Sequence, residues 1–259
     1  MSAIYWRSAI AGKPLEFLPG TMSSLQVLTK KDELDPEQLG GRVVIVLDIL
    51  FATSTIVHAF SQGVVGVWPA LNSLEADGIA ARLPGSLRAG EYLAETLPGF
   101  APAMPLLLAR ESLADRELVY CTTNGTVALR RAANAAHVYV GALLNGAALV
   151  AHVRQVHAQA PVLIVCSGSM GRFNLEDFYG AGHLVALFER HGTYELNDAA
   201  RAAKLLSEGC DPRHALLTSR VGRMMQARDL GDEVEYCAQR DILDVVARLE
   251  GGRLQRAAC

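Results

Sequence analysis

Six short apolar runs that alternate with stretches of helical spacing constrain the fold of this chain more than any other feature. The runs cover residues 25–28, 43–47, 64–67, 118–121, 137–140 and 162–166. The stretches of helical spacing cover residues 54–62, 74–83, 125–134 and 146–157. Several runs are apolar at every position, which is typical of strands buried on both faces of a parallel sheet. The alternation therefore predicts an α/β fold with three α/β/α layers and a mostly parallel central sheet.

Three regions depart from this alternation. Residues 1–22 have no periodicity and are interpreted as an N-terminal extension of unknown role, before an α/β core over residues 23–196 that carries the site. Within that core, prolines and glycines crowd residues 82–109 and predict an ordered loop or hairpin. Residues 197–259 look mostly helical, with strand candidates at 242–246 and 253–254. This last portion either packs on the same core or forms a second subdomain.

Composition and charge exclude several classes of protein. A chain of 259 residues can bury one large or two modest cores, and its 51% of hydrophobic residues excludes a disordered chain. No apolar run reaches the roughly 18 residues that a membrane span needs, and the N-terminus lacks the apolar segment of a signal peptide. The net charge of −3, without long blocks of like charge, argues against a nucleic-acid or membrane partner. The sequence therefore predicts a soluble, cytoplasmic protein.

Small polar residues follow three of the apolar runs, where each run ends and a helix begins. Because ligands of open α/β sheets bind at the carboxyl ends of strands, three such turns predict one anion-binding crevice. Serine, threonine and asparagine are also the preferred helix N-caps, so each turn alone is equally typical of a helix start. The candidate substrate-binding residues are Thr53, Ser54, Thr55, Thr122, Thr123, Asn124, Gly125, Thr126 and Arg172.

Acidic residues near the same strand ends are candidates for catalysis and metal binding. Asp48 follows the run 43–47 directly, where a buried carboxylate is costly unless a cation or hydrogen bonds compensate it. Glu176 and Asp177 begin a helix, and one of the two is expected only to complement the helix dipole. Asp48 with one of this pair can hold Mg²⁺, which binds through one or two carboxylates and a substrate phosphate. Glu91 is a further candidate catalytic acid.

Two of the five cysteines are candidate nucleophiles. Their wide spacing excludes a disulfide framework and a structural zinc site. Cys166 and Arg172 have the Cys-x5-Arg spacing of cysteine-dependent phosphatases, although Val165 stands where that loop has histidine. Cys121 lies at a predicted helix N-terminus, where the helix dipole lowers the pKa of a thiol. A purely structural role for either cysteine is the alternative.

Five segments have the order and spacing of a known family: VVIVLDILFATSTIV, AGEYLAETLPGF, VYCTTNGTVAL, VLIVCSGSMGRFNLEDFYGAG and SRVGRMMQARDLGDEVEYCAQRD. From about Leu25 to about Leu254, the chain resembles the 2-phosphosulfolactate phosphatase family. The resemblance implies an α/β/α fold and a Mg²⁺-dependent acid phosphatase that converts 2-phosphosulfolactate and water to sulfolactate and phosphate, on a route to coenzyme M. It also implies a homo-oligomer.

The resemblance assigns roles position by position. Asp48 falls on the aspartate of the family's Asp-x-Leu-x-Ala-Thr-Ser-Thr segment, and Cys121 begins its Cys-Thr-Thr-Asn-Gly-Thr turn. Arg172 falls on its Gly-Arg-Phe motif, and Glu176 and Asp177 on its Glu-Asp pair. The resemblance thus implies that Asp48 and one of this pair bind Mg²⁺, while Arg172 and the polar turns bind phosphoryl oxygens.

Two positions depart from the family pattern, since Phe51 and Tyr92 stand where the family has arginines. A lost charged hydrogen bond costs on the order of 1.5–3 kcal/mol, so a less anionic substrate or one with an apolar portion is expected. Another arginine, such as Arg88 or Arg130, is the alternative source of charge. A catalytically silent anion-binding protein and a metal-independent phosphatase that uses Cys166 are the rival functions.

Overall fold

The strands of this protein form one 11-stranded sheet in a computed structural model, which describes residues 23–257. The order across the sheet is β5-β4-β6-β3-β11-β10-β7-β2-β8-β1-β9. Most neighbouring strands are parallel, which confirms the predicted α/β/α class. The predicted extension, residues 1–22, lies outside the described residues. The strands are β1 Ser24–Leu28, β2 Val43–Leu47, β3 Gly66–Ala70, β4 Leu87–Tyr92, β5 Glu95–Thr96, β6 Glu117–Cys121, β7 His137–Gly141, β8 Val162–Cys166, β9 Glu195–Leu196, β10 Ala247–Glu250 and β11 Arg253–Arg256.

Helices connect the strands and cover the sheet. They are α1 Ala52–Ser61, α2 Ser73–Ala80, α3 Pro105–Leu108, α4 Gly125–Ala132, α5 Gly146–Val156, α6 Leu175–Glu189, α7 Asp198–Gly209, α8 Pro212–Thr218, α9 Arg220–Gln226 and α10 Gly231–Cys237. Both β2 and β8 are buried at every position. Ile45 packs in one core cluster while Val44 and Val46 pack in the other, because successive side chains of a strand face opposite sides. The predicted runs are therefore apolar throughout because both faces of these strands are buried.

A C-terminal hairpin joins two sets of parallel strands. One set contains β4, β6 and β3, and the other contains β7, β2, β8 and β1. Between them, β10 pairs antiparallel with β7, while β11 pairs antiparallel with β3 through Leu254 and Val67. The portion from residue 197 onward thus packs on the same core, because two of its strands lie inside the common sheet.

Helix α1 brings the two strand sets together. It is buried from Ala52 to Phe60. Ile56 of α1 packs in a cluster with Val46 of β2 and Tyr120 of β6, which belong to different sets. Strand ends that are distant in the strand order therefore approach each other around this helix.

Three predicted elements differ from the structure. Strand β3 begins at Gly66 rather than at residue 64 and contains Pro69, which is tolerated because β11 pairs with β3 only at Val67. Residues 242–246 are not a strand, since Leu243 N and Asn145 Nδ2 bond them to the loop that follows β7. Residues 82–109 contain the predicted hairpin, β4–β5, but β4 is also a parallel strand of the main sheet beside β6.

No helix within residues 23–257 combines the length and the apolar character needed to cross a membrane.

Candidate functional site

The carboxyl ends of β2, β4, β6 and β8 surround a cavity of about 260 Å³. Two groups of residues form opposite parts of its lining. The strand-end wall consists of Asp48, Glu91, Thr122, Thr123 and Asn124, and the helix wall consists of Arg220, Val221, Met224 and Met225 of α9. The other lining residues are Leu50, Phe51, Ala52, Leu93, Ala94, Ala103, Met104, Ser169, Met170 and Asn174. The predicted crevice at the strand ends is therefore present as a cavity.

Asp48 lies at the base of the strand-end wall, directly after β2. Its side chain is 6% exposed, and burial together with the charge of Glu91 raises its pKa to about 7. The ammonium group of Lys31 opposes this rise. A carboxyl group with this pKa can exchange a proton near neutral pH.

Glu91 faces the same cavity from β4, and the backbone fixes its position. Its Oε1 accepts a hydrogen bond from Thr123 N at 2.7 Å, and its Oε2 accepts one from Ala94 N at 2.7 Å. These bonds tie the β4–β5 turn to the turn after β6. Because Asp48 and Glu91 belong to different strand sets, the pair forms only when both sets are in place.

The turn after β6 brings α4 close to Asp48. A Cβ atom at Gly125 would lie 2.4 Å from Ala52 Cβ and 2.8 Å from Asp48 Oδ2, so this close approach requires glycine. Thr126 is fully buried, and its Oγ1 donates to Thr122 O at 2.9 Å within the turn. Of the residues predicted here, Thr122, Thr123 and Asn124 line the cavity, whereas Gly125 and Thr126 shape the turn behind it.

The predicted residues Thr53, Ser54 and Thr55 are fully buried and lie behind the cavity. Thr53 Oγ1 accepts a hydrogen bond from Asp48 N at 2.9 Å, and Ser54 Oγ donates to Ile49 O at 2.8 Å. Thr55 Oγ1 donates to Phe51 O at 2.9 Å. In this arrangement all three hydroxyls stabilise the start of α1 and position Asp48.

Glu176 and Asp177 lie beneath the cavity in the first turn of α6. Asp177 is fully buried, and its two carboxylate oxygens accept hydrogen bonds from Ile49 N at 2.9 Å and Gly168 N at 3.0 Å. It therefore joins the turns after β2 and β8. Glu176 is 1% exposed, and neither of its carboxylate oxygens has a hydrogen-bond partner among residues 23–257. Burial raises the pKa of both carboxyls, against lowering effects of the nearby Ser219 hydroxyl and of Arg220 on Glu176.

Lys31 is a site residue that the sequence analysis missed. It follows β1, is 6% exposed, and its Nζ donates to Asn124 Oδ1 and Ser167 O, each at 3.0 Å. Burial lowers the pKa of its ammonium group, and the carboxylate of Asp48 opposes that shift. The positive charge of Lys31 thus lies behind the turns that follow β6 and β8. The rule that polar residues follow strands would have identified it if applied to β1.

Arg220 is the second residue that was missed, and it is the only Lys or Arg in the described lining of the cavity. Its guanidinium donates to Ser169 Oγ and, at 2.9 Å, to Asn174 Oδ1. The predicted ligand Arg172 is exposed and does not line the cavity. Since Arg172 follows the turn at Met170 and Gly171, both with positive φ, its backbone returns to pair with Ser169 while its side chain points to solvent.

The two alternative arginines lie outside the cavity. Of the two departures from the family pattern, one lines the cavity. Arg88 is paired with Asp77, and Arg130 is paired with Glu75 at 2.7 Å, so neither lies in the cavity. Phe51 is 8% exposed and lines the cavity, whereas Tyr92 is 64% exposed and does not. Of these two residues, only Phe51 therefore forms part of the cavity surface.

The two candidate nucleophiles, Cys121 and Cys166, have raised pKa values. Burial and the charge of Glu91 raise the pKa of the Cys121 thiol to about 11, so the expected lowering by the helix dipole is outweighed. Burial raises the pKa of Cys166 well above its ordinary value, and its side chain is fully buried behind the cavity. Since the thiolate is the nucleophile, neither environment favours thiol chemistry.

The donor set of the cavity fits a hard divalent cation. Asp48 and Glu91 face one space with like charges, and a cation between them would relieve the repulsion that raises the pKa of Asp48. No cluster of three His, Cys, Asp or Glu side chains with metal-site geometry occurs within residues 23–257. Mg²⁺ needs no such cluster, because it commonly keeps several waters and binds through one or two carboxylates and a substrate phosphate. Asp177 fits less well, since it is fully buried and does not line the cavity.

Chemically, the cavity combines a carboxylate pair, turns rich in hydroxyl and amide groups, and a guanidinium at its mouth. Asn124, the N-cap residue of α4, lines the cavity and brings the positive end of this helix dipole close to it. Such an arrangement can bind a phosphoryl group together with a cation.

Comparison with known proteins gives a consistent result. The family model described as 2-phosphosulpholactate phosphatase matches residues 28–252. A probable 2-phosphosulfolactate phosphatase of Carboxydothermus hydrogenoformans is 31% identical over 224 residues, which are 85% of this chain and 93% of that protein. Proteins with the same name from Deinococcus radiodurans and Symbiobacterium thermophilum are 35% and 34% identical, over 80% and 84% of this chain and 87% and 95% of their own lengths.

Proposed function

This chain belongs to the 2-phosphosulfolactate phosphatase family, and from that premise we propose that it is a Mg²⁺-dependent phosphatase of a small phosphorylated organic acid. The substrate class is 2-phosphosulfolactate or a related, less anionic phosphate monoester. Water and the ester give the free hydroxy acid and inorganic phosphate. Membership makes the chain a phosphoric monoester hydrolase, and the metal and the substrate are the proposed parts.

The observation that supports this function best is the pairing of Asp48 and Glu91 across one cavity. Two carboxylates held together in a largely buried space are unfavourable without a cation. Their backbone hydrogen bonds keep them there, since Glu91 accepts from Thr123 N and Asp48 N donates to Thr53 Oγ1. A binding protein without catalysis has no need of such a pair.

In the proposed reaction, the ester phosphate lies in the cavity against the strand-end wall. The Thr122 hydroxyl and the side-chain amide and backbone N–H of Asn124 hold its oxygens, since Thr122 N and Thr123 N already donate to Thr126 Oγ1 and Glu91 Oε1. Water attacks phosphorus, the ester P–O bond breaks, and the proton that the water loses is balanced by the proton that the departing alkoxide takes up.

Asp48 and Glu91 would hold Mg²⁺, with phosphate oxygens and water as the other ligands. When bound, the ion neutralises charge that develops on the phosphoryl oxygens. Lys31 acts beside it by holding the Asn124 side chain and by compensating the charge of Asp48. Positioning and charge compensation supply most of the catalysis in phosphoryl transfer. The sequence-based assignment of Glu176 as a metal ligand stays a prediction.

The test is phosphate release from a panel of small phosphate monoesters in Mg²⁺. Release should be abolished by EDTA, restored by added Mg²⁺ and lost in Asp48→Asn. Asp32→Asn is the matched control, because Asp32 is at the surface and pairs with Arg131. Release that survives EDTA but is lost in Cys166→Ser would instead support the thiolate mechanism. Thermal stabilisation by phosphate esters without turnover would support the silent anion-binding protein.

The remaining sequence predictions are part of the proposal. A homo-oligomer, a cytoplasmic location and the absence of a nucleic-acid partner are expected. Light scattering coupled to gel filtration would test the first expectation, and a single monomeric species would contradict it.

A further inference from the structure

The charges of the cavity are separated along its length. Asp48 and Glu91 lie on the strand-end wall, and Arg220 lies on the helix wall at the mouth. Lys31 is behind the strand-end wall, where its Nζ is already bonded to Asn124 Oδ1 and Ser167 O. Among residues 23–257, a substrate therefore meets one guanidinium directly.

Between these charged ends the lining is apolar. Phe51, Met104 and Met225 are 8%, 7% and 2% exposed, so their side chains form a largely buried surface. Val221 and Met224 continue this surface on the helix wall. Methionine is unbranched and adapts to irregular apolar shapes, so such a surface accepts an alkyl group more readily than a charged one.

Arg220 is fixed well enough to recognise one anion. It is the first residue of α9, whose N-cap Ser219 accepts a hydrogen bond from Gly222 N at 2.9 Å. One guanidinium nitrogen is held by Ser169 Oγ and Asn174 Oδ1, and the rest of its planar group remains for a ligand. A guanidinium held in this way pairs with a carboxylate through two parallel hydrogen bonds.

We propose that the preferred substrate is the phosphate monoester of a small hydroxycarboxylic acid whose remaining substituent is uncharged and apolar. The inference rests on the proposed function and specifies its substrate class. The phosphate binds at the strand-end wall, the carboxylate binds Arg220, and the substituent packs against Phe51, Met104 and Met225. A second strong acid, such as a sulfonate, would have to lie on this apolar surface without a cationic partner from the cavity lining.

The experiment compares four phosphate monoesters on the full chain in Mg²⁺. Two are the O-phosphates of lactate and of 2-hydroxy-4-methylpentanoate, the third is 2-phosphosulfolactate, and the fourth is isopropyl phosphate, which lacks a carboxylate. We expect kcat/KM for the methylpentanoate ester to exceed that for 2-phosphosulfolactate by about tenfold or more. Isopropyl phosphate should be about tenfold poorer than O-phospholactate, because it cannot pair with Arg220.

Variants separate the two recognition elements. Arg220→Met should raise KM for the carboxylated esters by about tenfold and leave isopropyl phosphate nearly unchanged. Arg223→Met is the matched control, because Arg223 lies on the same helix, is exposed and is bonded to Thr218 O. Met224→Lys should improve 2-phosphosulfolactate at the expense of the methylpentanoate ester.

The same ranking is measured independently of turnover, as dissociation constants of the non-hydrolysable phosphonate analogues by calorimetry. Preference for 2-phosphosulfolactate in both measurements, or an equal loss on all four esters in Arg220→Met, would overturn the inference. An absence of phosphate release with the expected ranking of dissociation constants would refute the proposed hydrolysis and support the inference.

Discussion

The two walls of the cavity are built in different ways. On the strand-end wall, Glu91 is tied to the turn after β6 through Thr123 N and to its own turn through Ala94 N, and the backbone of Asp48 is held by Thr53 Oγ1. The helix wall comes from the seven-residue α9, and beyond Arg220 it presents apolar side chains without directional bonds. If the proposed function is correct, the sheet fixes the reacting groups and the helix determines which substrates fit. Substitutions on the two walls should therefore affect different kinetic constants.

The largest effect is expected at Asp48. Asp48→Asn should lower kcat by about a thousandfold or more, because it removes a carboxylate that would hold the metal. Met225→Leu on the helix wall conserves volume and should leave kcat within about threefold. Steady-state phosphate release measures both variants. A comparable loss in kcat from the two substitutions would contradict the division between the walls.

The same substitution should change stability in the opposite direction. Because the pKa of Asp48 is raised from 3.8 to about 7, the folded protein binds more protons than the unfolded chain between these values. The free energy of unfolding of the wild type therefore decreases as pH rises through this window. In EDTA, Asp48→Asn should gain on the order of a few kcal/mol over the wild type above pH 7, and much less near pH 4. Urea unfolding at several pH values would show this, and a difference independent of pH would refute it.

Substitution of Lys31 tests whether the geometry of the strand-end wall depends on the hydrogen bonds of its ammonium group. Lys31→Met should lower kcat/KM by about 10- to 100-fold, since it removes charged hydrogen bonds to Asn124 and Ser167. Lys30→Met is the matched control, because Lys30 Nζ contacts only Gly171 O, at 3.4 Å, among the described residues. Equal activities of the two variants would show that the wall holds its geometry without Lys31.

A smaller effect is expected at the rim, in the two-residue turn between β4 and β5. Ala94 has a φ of 66°, a left-handed conformation that glycine adopts without strain. Ala94→Gly should therefore raise the free energy of unfolding by about 1 kcal/mol. Ala227→Gly, at a helix end with a φ of −66°, is the control and should be destabilising. Denaturant unfolding measures both, and a loss of stability in Ala94→Gly would contradict the expectation.

The smallest effect is expected at Cys121. Because burial and Glu91 raise the pKa of this thiol to about 11, it contributes little thiolate near neutral pH. Cys121→Ser should retain phosphate release within about twofold. A loss of activity comparable with that of Asp48→Asn would show that Cys121 takes part in the reaction.

Much of the fold could be predicted because local patterning determines it. Runs 43–47 and 162–166 coincide with β2 and β8, since strands covered on both faces are apolar throughout. The position of β10 and β11 inside the sheet could not be predicted, because it depends on pairing with β7 and β3, which are distant in sequence. The strand candidate at 242–246 was wrong because its backbone bonds to the loop after β7 instead.

The site was predictable where a residue directly follows a strand. Asp48 and the turn at Thr122 lie where the sequence places them, because strand ends converge at one edge of a parallel sheet. Lys31 and Arg220 were missed because their partners, Asn124 and Ser169, are 93 and 51 residues away. Arg172 was misleading, since the turn that precedes it directs its side chain to solvent.

The position of the β10–β11 hairpin in the chain also affects when the sheet can be completed during synthesis. The ribosome delivers β10 and β11 after every other described strand, so β3 and β7 keep open edges until then. Asp48 and Glu91 belong to the sets that this hairpin links. A premature stop codon just before residue 247 would delete no residue of the cavity and would remove the strands that join the two sets into one sheet. The nascent chain therefore carries every described residue of the cavity before the sheet beneath them is continuous.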